Sequence, residues 1–211
     1  MRSLRFVAAI GDIHQEHILL ESVLDFIASI GPDAIVAVGD IVDGPGDGAR
    51  CCELLAEAQV DLVRGNHDRW FLEEAAKRPQ AERDACGIES FLSKQPVTRQ
   101  YKTGRGQLLL CHGLAENDMN RLIPDDYGYA LATNDELQGL LSSQEFRFVI
   151  NGHTHQRMVR DFDGVTVINV GTLLRGHSPC FAIVDFEAGT VTFYDIDVDT
   201  QRIAEASTHA L

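Results

Sequence analysis

The chain has 211 residues, with 18 lysines and arginines against 32 aspartates and glutamates, for a formal charge of −14 at pH 7. That length fits a single domain spanning 1–211. Hydrophobic residues at 45% and charged residues at 24% are ordinary globular usage rather than disorder. The acidic balance argues against a partner such as long nucleic acid or an anionic membrane surface. Small phosphate substrates stay open, because a few bound cations reverse a local field.

In chain order, Leu4 to Ile10 reads as a buried strand stopped by Gly11-Asp12. Ile18, Leu19, Val23, Leu24, Phe26, Ile27 and Ile30 recur at helical spacing, and Gly31-Pro32 ends that helix. A second strand over Ala34 to Val38 also stops at Gly-Asp. A helix near Ala49 to Ala58 follows, then a strand over Val60 to Val63 and the turn Gly65-Asn66. Strand, loop and helix thus repeat three times, the pattern of an α/β sheet with right-handed crossovers. From Asp68 to about Lys94 the chain is helical and charged, broken at Pro79 and Gly87.

Leu108 to Cys111 is a strand ending at His112-Gly113, and residues 114–133 read as a polar surface loop with Pro124, Gly128 and two tyrosines. Asn134 caps a short helix through Leu141. Phe148 to Ile150 is a strand ending at Asn151-Gly152. Beyond it the pattern is β: Met158 to Arg160, Val165 to Val170, Phe181 to Phe186 and Val191 to Ile196, the last two joined by a hairpin at Glu187-Ala188-Gly189.

Cys51, Cys52, Cys86, Cys111 and Cys180 are odd in number and lack a C-x-x-C pair, which reads as reduced thiols rather than a disulfide frame. The apolar run Phe6 to Ile10 is too short for a signal segment or a bilayer span. The expectation is a soluble cytoplasmic protein of unspecified oligomeric state.

Five predicted strands end in turns loaded with metal-type ligands: Gly11-Asp12-Ile13-His14, Gly39-Asp40-Ile41-Val42-Asp43, Gly65-Asn66-His67-Asp68, His112-Gly113 and Asn151-Gly152-His153-Thr154-His155. Ligands of open α/β sheets bind beyond the carboxyl ends of strands, and glycine there permits tight turns and close backbone approach. Each turn alone is a weak signal. Their conjunction is not, because mixed carboxylate, imidazole and amide donors suit Mn, Fe or Zn rather than a cysteine-type zinc.

These blocks, in this order, resemble the calcineurin-like metallophosphoesterases, whose signature is D-x-H, G-D-x-x-D, G-N-H-D/E, a later His and G-H-x-H. The resemblance runs from Asp12 to His155 and, with the trailing strands, covers most of the chain. It implies an α/β (α+β) fold, a two-sheet β sandwich flanked by helices. It also implies two divalent ions, of Mn, Fe, Zn or Ni, with Mn favoured in vitro. One ion would be held by Asp12, His14 and His155, the other by Asn66, His112 and His153, with Asp40 bridging. A hydroxide between them would attack phosphorus. His67 would stabilise the scissile phosphate or protonate the leaving oxygen. Asp68 would either orient His67 or serve as a first-turn acid of its helix. Asp43 is either a hydrogen-bond partner behind the ligands or a plain turn carboxylate.

The implied activity is hydrolysis of a small phosphodiester or phosphomonoester, in the manner of the small bacterial and archaeal phosphodiesterases. That branch is favoured by His153-Thr154-His155 and by Asn169-Val170-Gly171-Thr172, which is like its Asn-Pro-Gly-Ser turn. Retention of His67 departs from it, since that branch often has Cys there. The Asp-Arg-Gly of Ser/Thr protein phosphatases is absent, Gly44 following Asp43. Alternatives are a protein phosphatase, a dinucleoside polyphosphate hydrolase, or a scaffold such as the retromer subunit of the same fold. Arg64, Arg69, Arg121 and Arg175 are candidates for a second phosphate or a leaving group, with plain solvent exposure favoured for Arg69 and Arg121. Trp70, Tyr127 and Tyr129 are of a kind to stack on a base, Trp70 more in keeping with core packing.

Overall fold

The structure is a computed structural model that describes residues 3–79 and 87–211. Three β–α units open the chain. Strand β1 (Phe6–Ile10) leads into α1 (His17–Ile30), β2 (Ala34–Ala37) into α2 (Gly48–Glu57), and β3 (Asp61–Leu62) into α3 (Asn66–Ala76). After α4 (Ile88–Leu92) come the hairpin strands β4 (Arg99–Thr103) and β5 (Gly106–Leu110), then α5 (Tyr129–Ala132), α6 (Asp135–Ser143) and β6 (Phe148–Asn151). The last strands are β7 (Met158–Phe162), β8 (Val165–Asn169), β9 (Cys180–Asp185), β10 (Thr190–Ile196) and β11 (Ile203–Ala210).

Two mixed sheets result. The first has the order β11-β10-β9-β1-β2-β3 and the second β4-β5-β6-β8-β7. β1, β2 and β3 run parallel, as do β5, β6 and β8. Parallel neighbours bring their carboxyl ends to one edge of each sheet, and the five ligand-bearing turns all leave from such ends.

Strand alternation sorts the core into layers. Val7 and Ala9 face the second sheet and meet Leu108, Leu110, Phe148, Ile150 and Ile168. Ala8 and Ile10, on the opposite face of β1, meet Leu20, Val23, Ile27 and Leu55 of α1 and α2. Beyond the second sheet, Leu109, Val149 and Val167 pack on Leu137 and Leu140 of α6. Burying each of the valine, leucine, isoleucine and phenylalanine side chains contributes about 1.5–3 kcal/mol, so the helix–sheet–sheet–helix stack follows from period-2 strands between helices with one apolar face. The helix signals act as their sequences indicate. Gly31 closes α1 at φ 62°, its N–H donating to Ile27 O, and Asn134 Oδ1 accepts the Leu137 N–H at the start of α6.

Some boundaries differ from expectation. α3 starts at Asn66, two residues earlier than its charged run indicates. β4 and β11, both edge strands, have no counterpart among the expected strands. The 114–133 segment is a loop except for α5. The predicted helical run from Asp68 to Lys94 includes residues 80–86, and these, with Cys86, lie outside the described residues. Cys51, Cys52, Cys111 and Cys180 are buried thiols, and no disulfide joins them among the described residues. Among the described residues no helix is long and apolar enough to cross a membrane.

Candidate active site

The turns after β1, β2, β3, β5 and β6 converge. Contacts cross between the two sheets: His112 Nδ1, after β5, lies 2.7 Å from Val38 O after β2, and the His153 N–H, after β6, lies 3.1 Å from both oxygens of Asp12 after β1. The backbone is strained where it carries donors, since His14, Asp40, His153 and His155 all have positive φ, between 45° and 66°. Such conformations cost free energy and persist where the surroundings enforce them. Glycine makes room for the carboxylates. A Cβ at Gly65 would lie 2.0 Å from Asp40 Oδ1, and one at Gly152 would lie 2.4 Å from Asp12 Oδ2.

The imidazoles are oriented from behind. His112 Nδ1 donates to Val38 O, which turns Nε2 to the cluster, with a bare lone pair once its proton is displaced. That Nε2 lies 2.9 Å from Asn66 Oδ1, 3.3 Å from Asp40 Oδ2 and 3.7 Å from Asp12 Oδ1. His153 Nδ1 approaches the same Asn66 oxygen at 3.0 Å. His14 Nδ1 donates to Asp43 O at 3.0 Å, so its Nε2 is bare as well, and it points at His155 Nε2 3.1 Å away. Lone pairs and carboxylate oxygens aimed at common points repel one another unless a cation sits between them. Donor atoms of Asp12, His14 and His155 lie within 4.8 Å of one another, as do those of Asp12, Asp40 and His112 and those of His14, Asp40 and His67. The residues fit divalent metal, with the outer nitrogen of each oriented histidine held by a carbonyl.

The electrostatics agree. Burial raises the Asp12 carboxyl to about 7, with His112 opposing the shift and Asp40 adding to it. Burial alone would depress His112, but the adjoining Asp40 and Asp12 raise it to about 9. At Asp40 burial pushes upward and is overcome by His112 and His67, which hold the carboxyl at about 2. Burial lowers His14, His153 and His155, the last to about 4, which keeps them in the neutral form that ligates. The site thus selects positive charge at its centre and neutral imidazoles at its rim.

His67 opens α3 at the mouth of this cluster, its N–H donating to Asp40 Oδ1 at 2.9 Å. Its Nδ1 lies 2.5 Å from Asp43 Oδ2. Asp68 is not its partner: Asp68 is fully buried, and its oxygens accept the backbone N–H groups of Ile41, Val42 and Gly65. Of the two readings of Asp68, the structure places it as the first-turn acid of α3, and the carboxylate on the His67 ring belongs to Asp43.

The family model for the calcineurin-like phosphoesterase superfamily domain matches residues 6–189. The chain belongs to this superfamily. Solved structures of similar fold include a metallophosphoesterase from Sphaerobacter thermophilus, at 21% identity and TM-score 0.66, covering 93% of this chain and 89% of that one. The E. coli phosphoesterase Yfce is similar at 18% identity and TM-score 0.61, covering 97% and 98%. A novel archaeal phosphodiesterase is similar at 16% and 0.55, covering 95% and 98%. At these identities the likeness is one of fold. No curated protein sequence matches the chain.

Two further features of this calcineurin-like phosphoesterase shape the site. The 169–172 turn clamps the first and fifth ligand turns together: Asn169 Nδ2 donates to Gly152 O and Thr154 Oγ1, and Thr172 Oγ1 donates to Asp12 O at 2.7 Å. Next to it, Arg175 is not free for a phosphate. Its Nε and NH2 groups fork onto the fully buried Glu16 at 2.8 and 2.6 Å. The Arg64 Nε is buried without a partner among the described residues, and Arg69 is paired with Asp118 and Glu73. Tyr127 and Tyr129 are 81% and 83% exposed. Trp70 is not core: it is 40% exposed and stands edge-on to His67, ring centroids 4.9 Å apart.

Proposed function

We propose that the chain hydrolyses a small phosphodiester or phosphomonoester, a class that includes nucleotide-derived esters, with two divalent metal ions. One ion is assigned to Asp12, His14 and His155, the other to Asn66, His112 and His153, with Asp40 shared. The observation that carries this reading is the pair of convergent donor sets, His14 and His155 at one point and His112, His153 and Asn66 at the other, with Asp40 beside both. Bound there, divalent ions neutralise phosphoryl charge and activate water, and Mn is the ion favoured for assays.

The chain's own residues supply the rest. Asp43 holds the Nδ1 side of His67, leaving Nε2 to give a proton to the leaving oxygen. The His67 backbone N–H fixes Asp40 Oδ1, so that Asp40 Oδ2 is the oxygen turned to His112 and His14. Trp70 packs edge-on against the His67 ring.

The protein-phosphatase alternative meets a steric obstacle. A Cβ at Gly44 would lie 1.7 Å from His14 O, so no arginine side chain fits there without displacing His14. The scaffold alternative is disfavoured by ligand-competent residues at all seven positions. Buried thiols with no disulfide among the described residues suit a cytoplasmic location. The test is a Mn²⁺-supplemented panel of a monoester, a diester and a dinucleoside polyphosphate, with Asp40→Asn as control. Hydrolysis that Asp40→Asn abolishes, together with lower metal content by mass spectrometry, is the expected result. Protein that binds no metal and hydrolyses none of the panel would sink the reading.

A further inference from the structure

Beside His153 lies a cavity of about 300 Å³ lined by Arg121, Ile123, His153, Thr154 and Gln156. His153 also meets Asn66 in the donor cluster, so the cavity and the candidate metal centre share His153 as a wall. Its walls come from the turn after β6 and from the loop between β5 and α5. Apart from Ile123 the lining is polar, and His153 supplies its only ring. That surface suits a charged group better than a nucleobase.

Arg121 is the cation of this cavity. Arg50, Arg69, Arg147, Arg157 and Arg175 each bond a carboxylate. The Arg121 guanidinium has no such partner among the described residues. Its loop is nonetheless fixed on both sides. Leu122 is fully buried, Asn134 Nδ2 donates to Asn120 Oδ1 at 3.0 Å and to Arg121 O at 3.3 Å, and one Arg160 nitrogen donates to the carbonyls of Ile123, Pro124 and Asp126. Asp118, earlier in the loop, is forked by Arg69 of α3 at 2.6 and 3.1 Å. The Arg121 side chain is exposed and, among the described residues, without a partner on a pinned loop, so little backbone ordering is left for binding to cost. Thr154 Oγ1 accepts from Asn169 Nδ2, so its own hydroxyl proton points to another acceptor. Guanidinium, hydroxyl and the Gln156 amide together match the several acceptor oxygens of a phosphate.

We propose that this cavity seats a second phosphoryl group of the substrate, distinct from the one being cleaved, and that Arg121 selects for it. The proposal rests on the phosphoesterase reading above and narrows its substrate class to esters that carry two phosphates.

The test compares propyl phosphate with 1,3-propanediol bisphosphate on Mn²⁺-loaded protein. The wild type prefers the bisphosphate in kcat/KM by about ten- to a hundredfold, the range of a charge-assisted hydrogen bond. In Arg121→Ala the ratio falls to about one, and Arg121→Lys, which keeps the charge but not the fork, lies between. A second measurement needs no turnover. Phenylglyoxal labelling of Arg121, read by peptide mass spectrometry, is blocked by propane-1,3-bisphosphonate and not by propylphosphonate. Equal protection by both, or the same substrate ratio in wild type and Arg121→Ala, overturns the proposal. Failure to hydrolyse either ester counts against the phosphoesterase reading, while the labelling still decides on the cavity.

Discussion

Asp43 reaches across 24 residues of sequence to set Oδ2 at 2.5 Å from Nδ1 of His67, from a backbone turned to φ 65°. A residue held in that left-handed region is strained, and the strain is maintained by its neighbours: Asp43 O also accepts from His14 Nδ1. One residue therefore orients both a candidate ligand and the candidate proton donor. His67→Ala is expected to lower kcat on an alkyl phosphate ester by about 10²- to 10⁴-fold. The loss on a p-nitrophenyl ester is much smaller, because that leaving group departs without a proton. Asp43→Asn falls between, with the same dependence on leaving group. Equal losses on both esters would remove the general-acid role.

Stability of the metal-free protein should depend on pH in a window set by His112. Its folded-state value is raised from 6.5 to about 9, so it contributes stability that is fully present below 6.5 and lost as pH rises to about 9. The depressed His14, His153 and His155 are largely neutral by pH 7, while Asp12, at about 7, is half-protonated there and its remaining proton loss lowers stability in the same direction as that of His112. Melting temperature of chelated protein is thus expected to fall between pH 7 and 9. Mn²⁺ competes with the His112 proton, so the rise in melting temperature it produces should be larger at pH 9 than at pH 7. Calorimetry at the two pH values with and without Mn²⁺ checks this. A metal effect that shrinks with pH would contradict the assignment of His112.

Gly44→Ala isolates the steric claim about the turn after β2. The added Cβ meets the backbone oxygen of His14 at 1.7 Å, and no flexible side chain can give way, so one of the two loops must shift. The expected loss is about 1–3 kcal/mol by denaturant titration, the cost of overpacking, with weaker Mn²⁺ binding because His14 moves. An unchanged denaturation midpoint would show that the turn has room for a side chain.

The sequence makes the site legible for a simple reason. Asp12, His14, Asp40, Asn66, His112, His153 and His155 all follow strands that read as apolar runs, and parallel strands must end together. Edge strands escape such reading. β4 (RQYKT) and β11 (IAEASTHA) are mostly half-buried or exposed, each has a single neighbour in its sheet, and each reaches the core through one side chain, Tyr101 and Ile203. The Asp43 and Asp68 roles stay ambiguous in one dimension, since both carboxylates are close enough in sequence to a turn and to His67. Only the backbone reversal at Asp43 and the burial of Asp68 under the Ile41 and Val42 amides separate them. Trp70, set among apolar neighbours on α3, gives no sign in the sequence that it turns outward to His67.

Arg175 shows how a long-range partner reverses a local reading, and it can be tested directly. Its position after the Asn169 turn suits a phosphate clamp, yet Glu16, 159 residues away and fully buried, takes its fork and its backbone N–H. Removing the guanidinium leaves a buried carboxylate held by one amide. Arg175→Ala is therefore expected to cost about 2 kcal/mol in a denaturant titration, less than a fully buried pair because the Arg175 side chain is itself 52% exposed. Glu16→Gln, which removes the charge that needs compensation, should make the further loss from Arg175→Ala smaller, so the double mutant should be more stable than the sum of single losses implies. A clamp role would read out differently, as a raised KM for phosphate esters at an unchanged denaturation midpoint.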